Sequence, residues 1–144
     1  MGAYCRLGRV VLDGFSGDFQ GILRVSDLRY QSLGDLNFIK AVDSLTDIEL
    51  SAGKIHFADN LTSGGNVIIR NREQFSSTVN NETWHIDGGL SQYGEGAVSL
   101  GRNIETQGYD VLWQSLVTLL TSVVIDSGSL AGNIFFNNGL IATD

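Results

Sequence analysis

The densest apolar run in the chain, Asp110 to Ala142, DVLWQSLVTLLTSVVIDSGSLAGNIFFNNGLIA, is the strongest constraint on its fold, because so much apolar surface must be taken out of water. At about 100° per residue, Gln114, Ser115, Thr118, Thr121 and Ser122 share one arc. Leu112, Trp113, Leu116, Val117, Leu119, Leu120, Val123 and Val124 fill the opposite face. With Asp110 as N-cap and Gly128 just past the end, the spacing predicts an amphipathic helix over 110–126, with Leu116 and Leu120 in the core. Against it, Val111 and Ile125 lie on the polar arc, and the many β-branched residues suit a strand. After it, two apolar runs flank Asn138-Gly139, a pair suited to a two-residue type I′ turn, so a C-terminal β-hairpin is expected.

Punctuation elsewhere is unusual. The chain has eighteen Gly and no Pro, so every turn relies on Gly, Asn, Asp and Ser. Its 144 residues suit one domain, 1–144. Cys5 is the single cysteine, which rules out an internal disulfide and a cysteine-based metal site and suits a small buried or half-buried hydrophobe. The opening residues MGAYCRLGRVVLDG lack the pattern of a secretory signal, which predicts synthesis in the cytosol without a signal peptide. The apolar stretch 111–125 is too short and too polar to span a bilayer, so no membrane partner is expected.

A net charge of −7 argues against nucleic-acid binding, which needs clustered Lys and Arg. The distribution is asymmetric. Residues 1 to 34 carry Arg6, Arg9, Arg24 and Arg29 against Asp13, Asp18 and Asp27, a mildly positive end, whereas residues 103 to 144 carry Glu105, Asp110, Asp126 and Asp144 with no basic side chain. Arg is also the interface-enriched cation. The candidate interface is therefore Arg6, Arg9, Arg24 and Arg29 against Asp126 and Asp144, with ends meeting head to tail in a ring or stack.

Taken in order, GRVVLD and FQGILRVSDLRY read as strands around the turn DGFSGD, which lacks the ligand spacing of an EF-hand loop. From Asp35, DLNFIKAVDSLTD places Phe38, Ile39, Ala41, Val42 and Leu45 opposite Asn37, Lys40, Asp43, Ser44 and Asp47, which predicts a second helix over 35–46. Residues 48–102 change to short strands, IEL, KIHFAD, NVIIRN, FSSTV, TWHID and AVSLGR, separated by Gly, Ser and Asn. NREQFSSTVNNET reads as an exposed loop or edge hairpin. The expected fold is mainly β: an antiparallel sandwich or barrel with one or two short helices (35–46, 110–126) and the C-terminal hairpin.

AGKIHFADNL at 52–61 echoes AGNIFFNNGL at 131–140, and VVLDG at 10–14 echoes VVIDS at 123–127. Phrases such as NLTSGGNVIIRN and VTLLTSVVIDSGSLAGNIFFNNGL resemble the repeats of filamentous-haemagglutinin-type adhesins over about a third of the chain. That resemblance implies the alternative fold, a parallel β-solenoid, and an exported protein.

Catalytic signatures do not emerge. His56 and His85 sit in strand-like runs, His56 pointing to solvent, and two separated histidines without cysteine do not make a zinc site. GGLSQYGEG lacks dinucleotide-loop spacing, and no Gly-Lys-Ser/Thr occurs. No catalytic, cofactor-binding or metal residue is assigned, and no cofactor. The expected function is a non-enzymatic structural protein acting through subunit contacts, as a homo-oligomer or with other structural proteins of an assembly. A phage virion component, capsid decoration or tail, is the favoured class, with incorporation into the virion. The alternatives are a β-solenoid adhesin segment binding a surface or glycan, and a small hydrolase with fold-assembled carboxylates.

Overall fold

The computed structural model describes residues 6–143, and every regular element among them is a β-strand. The strands pair in parallel with partners about one coil away. β1 (Leu7–Gly14) pairs with β3 (Leu23–Ser32), β3 with β6 (Ile48–Phe57), and β6 with β8 (Val67–Ser77). β8 then pairs with β10 (Leu90–Tyr93), β10 with β13 (Val111–Trp113), and β13 with β16 (Ile134–Phe136). Val10, Leu28, Ile48, Val67, Leu90, Val111 and Ile134 thereby form one column, with a turn every 18 to 23 residues by their numbering. The fold is a parallel β-solenoid of about seven turns.

Two further faces close each turn. The second stacks β2 (Gly17–Phe19), β4 (Leu36–Phe38), the later halves of β6 and β8, β11 (Ala97–Leu100), β14 (Val117–Leu119) and β17 (Leu140–Ala142). The third stacks the start of β3, then β5 (Val42–Ser44), β7 (Leu61–Ser63), β9 (Thr83–Ile86), β12 (Asn103–Thr106) and β15 (Ile125–Asp126). Alternate residues of every strand point inward, so the core is a shaft of apolar columns running from Val25 and Leu28 to Trp113 and Val117. Aromatic rings stack at the rise of the strands. The ring centres of Phe19 and Phe38 lie 4.9 Å apart and those of Phe38 and Phe57 4.8 Å, both pairs stacked with nearly parallel planes, matching the spacing of neighbouring strands.

Corners carry their own ladder. Asp47, Asn66, Asp110 and Asn133 each precede a strand of the first face. Asp47 Oδ1 accepts from Asn66 N at 2.8 Å, Asn66 Oδ1 from Gly89 N at 2.9 Å, and Asp110 Oδ1 from Asn133 N at 2.8 Å. Side-chain oxygens thus satisfy corner N–H groups one turn on. Other corners approach the neighbouring turn so closely that only Gly fits. A Cβ at Gly64 would lie 2.0 Å from Leu45 O, and one at Gly94 would lie 2.1 Å from Asn71 O.

Buried polar groups sit at corners and find partners there. The Gln92 amide donates to Asn71 Oδ1 at 2.8 Å and Ser115 Oγ at 3.1 Å, and its oxygen accepts from Gln114 N and Ser115 N, both at 3.0 Å. Arg102, 1% exposed, donates to Thr78 O at 3.2 Å, Asn60 Oδ1 at 2.8 Å and Ala58 O at 3.1 Å. Burial pulls its pKa below the usual value, opposed by the nearby Asp59 and Glu82.

The antiparallel sandwich or barrel is overturned: every pairing in the sheet is parallel. Neither expected helix exists. Residues 35–46 form β4 and β5, and 110–126 form β13, β14 and β15. The cause is geometric. Across a tight corner, the last inward residue of one face and the first of the next lie four apart: Phe38 and Val42, Trp113 and Val117. Such pairs imitate the i, i+4 stripe of a helix.

Leu116 and Leu120, expected as core, are 39% and 38% exposed, while Trp113 and Val117 are buried. The C-terminal third is thus one end of the shaft rather than its organiser. The hairpin fails for a related reason. β16 pairs with β13 and β17 with β14, not with each other, and Asn138 lacks the positive φ that a type I′ turn demands. Its amide instead donates to Gln114 O of the previous turn. The expected loop at 71–83 largely continues β8, burying Phe75, Asn71 and Ser77. Cys5 lies outside the described residues.

Two stability outcomes follow from inward and outward placement. Trp113→Ala should cost about 3–5 kcal/mol in urea unfolding, whereas Leu116→Ala should cost under about 1.5 kcal/mol. Equal losses at both positions would contradict the assigned pleat. Arg102→Met, which removes the donors to three part-buried acceptors, should cost on the order of 2 kcal/mol by the same measurement.

Candidate binding surface

The outward side chains of the first face form columns in which neighbours stand one strand spacing apart. Val11, Arg29, Glu49, Ile68, Ser91, Leu112 and Phe135 stand in one column, and Asp13, Gln31, Ser51, Arg70 and Tyr93 in the next. Arg29 is the hub. It reaches Glu49 Oε2 at 2.5 Å, Asp27 Oδ2 at 3.2 Å and Asp47 Oδ2 at 3.7 Å. Glu49 also holds Arg70 through Oε1 at 2.7 Å, and the Arg70 guanidinium carbon lies 6.0 Å from the centre of the Tyr93 ring.

Arg29, Glu49 and Arg70 line a shallow groove of about 430 Å³ over the first turns, together with Val11, Asp13, Gln31 and Ser51, and Tyr93 stands one strand beyond Arg70, outside that lining. Each ion pair is partly exposed, so each stabilises the fold by under about 1 kcal/mol. Their larger effect is to fix the side chains in place. The groove therefore presents prearranged donors and acceptors beside an aromatic ring.

The residues expected at an interface are distributed along the shaft. Arg6 donates to Val25 O at 2.6 Å and pairs with Asp43 Oδ2 at 2.9 Å. Arg9 pairs with Asp27 at 3.3 Å. Arg24 stands on the outward column of the third face, in register with Asp43. Asp126 lies in the last turn, accepting from Gly128 N at 2.8 Å. The first turns thus carry Arg6, Arg9, Arg24 and Arg29 and the last carries Asp126, while Asp144 lies outside the described residues.

Glu49, Arg70 and Tyr93 were not singled out in the sequence. They are separated by one turn each, and a spacing of 21 to 23 residues leaves no local signal. Carboxylates do gather, but Asp27, Asp47 and Glu49 converge on Arg29 instead of facing a reacting bond. Among the described residues, no three His, Cys, Asp or Glu side chains are placed to hold a metal ion.

On the second face the outward column runs Asp18, Asn37, His56 and Ser76. His56 points outward and is half-buried, with Nδ1 2.8 Å from Ser76 Oγ and Nε2 3.1 Å from Thr78 Oγ1. Burial lowers its pKa below the ordinary 6.5. His85, exposed on the third face, has Nδ1 3.8 Å from Glu105 Oε2. Because the unfolded chain takes up the His56 proton at higher pH than the folded one, His56 destabilises the fold as pH falls below about 6.5. Urea midpoints should therefore fall between pH 7 and pH 5, and His56→Gln should flatten part of that slope. An unchanged slope would remove His56 from the acid sensitivity.

No family model, curated protein or solved structure matches the chain.

Proposed function

We propose that this chain is a non-enzymatic segment of a β-solenoid rod of the filamentous-haemagglutinin adhesin type, and that its first-face groove binds carbohydrate. The parallel solenoid supports the rod. The observation that carries the ligand class is Arg70, which lines the groove with its ion-pair partner Glu49 and has the Tyr93 ring beside it on the next strand, just outside the lining. Saccharides present hydroxyls for charged and amide groups and apolar C–H faces for aromatic rings. A prearranged rim reduces the entropy lost on binding. Opposite charges alternate along the groove, so the ligand is a neutral saccharide. An adhesin of this type is exported and works outside the cell.

A second reading is a phage capsid-decoration or tail component. It requires contacts with other structural proteins instead of a sugar.

The test is binding of the full chain to an array of neutral glycans, with hits measured by calorimetry. Arg70→Ala and Tyr93→Ala should each weaken binding about tenfold or more while leaving the thermal midpoint nearly unchanged. No glycan binding by the unaltered chain, or binding indifferent to both substitutions, would overturn the carbohydrate reading.

A further inference from the structure

Gln31, Ser51, Arg70 and Tyr93 stand in register on β3, β6, β8 and β10, one residue to each strand. Arg29, Glu49, Ile68 and Ser91 form the neighbouring outward row on the same strands. Each of these strands is paired on both sides, so the rows belong to the interior of the shaft and not to either end. The groove follows them lengthwise, taking its lining from β1, β3, β6 and β8. Four strands span about 14 Å along the shaft, whereas outward neighbours on one strand stand only about 7 Å apart.

We infer, on the carbohydrate reading, that the ligand is an extended, β-1,4-linked neutral glycan lying along the shaft, one sugar to each strand. Pyranoses joined through two equatorial bonds, as in most β-1,4 chains, stay extended and advance by about one strand spacing per sugar. An α-1,4 chain coils away from a straight row. Hydroxyls of an extended chain therefore recur in step with Gln31, Ser51 and Arg70, and Tyr93 on the following strand offers its ring to the C–H face of a further sugar.

Charge agrees with a chain of this kind. Glu49 lies between Arg29 at 2.5 Å and Arg70 at 2.7 Å, and Asp27 and Asp47 close on Arg29 as well. The rows offer hydrogen bonds with opposite charges interleaved, which suits hydroxyls better than a uronate or sulfated polymer. A chain lying across the strands would meet the groups of one or two turns. Lying along the shaft it meets every turn of the rows, so affinity grows with length until they are filled, at about four sugars.

Calorimetric titration of the full chain with β-1,4-linked oligomers of glucose, mannose and N-acetylglucosamine, and with α-1,4-linked glucose oligomers, tests linkage and direction together. In at least one β-1,4 series the tetramer should bind about tenfold or more tighter than the dimer, while the α-1,4 series gains under about threefold over the same step. Gln31 and Tyr93 are outward residues three strands apart. Gln31→Ala should weaken binding of a hexamer about threefold or more and Tyr93→Ala about tenfold, with the thermal midpoint of each variant nearly unchanged. Equal affinity for dimer and tetramer, an α-1,4 gain as large as the β-1,4 gain, or hexamer binding that suffers in only one of the two variants would defeat the lengthwise glycan. If no β-1,4 oligomer binds but other neutral glycans on the array do, the carbohydrate reading stands and the lengthwise β-1,4 chain falls. If nothing binds, both fall.

Discussion

The in-register parallel hydrogen-bond ladder is the interaction on which everything else in this shaft depends. Many of its strands are three residues long, too short to persist alone. An interior strand becomes stable only because the turns on both sides pair with it. Stability therefore propagates from turn to turn, as in other repeat architectures. The same ladder accounts for the absence of proline. Interior strands donate and accept on both edges, and a residue without an N–H would open a gap in one of them. Gly, Asn, Asp and Ser do the turning because corners need close approach and side-chain oxygens instead of a fixed φ.

Corners add the second layer of specificity. Three flat faces can slip by two residues along a strand and still bury apolar side chains. Slipping would break the chain of Asp47, Asn66, Asp110 and Asn133 contacts, and would strand the Gln92 amide and the Arg102 guanidinium inside the shaft. Their burial costs little while every partner is in place and a great deal when one is lost. The apolar columns supply most of the driving force, and the polar corners decide which register is used.

This division explains what could be read from the sequence. Short strands, Gly-rich and Asn-rich corners and a β-dominated fold were visible between residues 48 and 102, because alternation within a strand is local. Parallel pairing was not, since antiparallel hairpins and solenoid corners use the same residues and differ in whether a strand pairs with its neighbour or with one about twenty residues on. Helices were expected at 35–46 and 110–126 because Phe38 with Val42, and Trp113 with Val117, cross corners at a spacing of four. The resemblance to haemagglutinin-type repeats pointed to the solenoid that is observed. The echo of KIHF in NIFF did not reflect register: Ile55 and Phe57 lie on the second face, Ile134 and Phe136 on the first. The groove was illegible for the same reason as the pairing, since Glu49, Arg70 and Tyr93 meet only after the chain has coiled.

In such a shaft the inward half of each strand is committed to stacking, while the outward half is free to carry chemistry at a fixed spacing of about 4.8 Å. Adjacent columns that place Arg29, Glu49, Arg70 and Tyr93 on successive strands of the first face form a rigid array without any loop to hold it. Its geometry comes from the backbone, so a substitution at Arg70 or Tyr93 changes what the flank can contact and leaves the core columns intact. Contacts that matter for folding and contacts available to a partner are separated by which way a residue points, and a strand as short as Val111–Trp113 contains both.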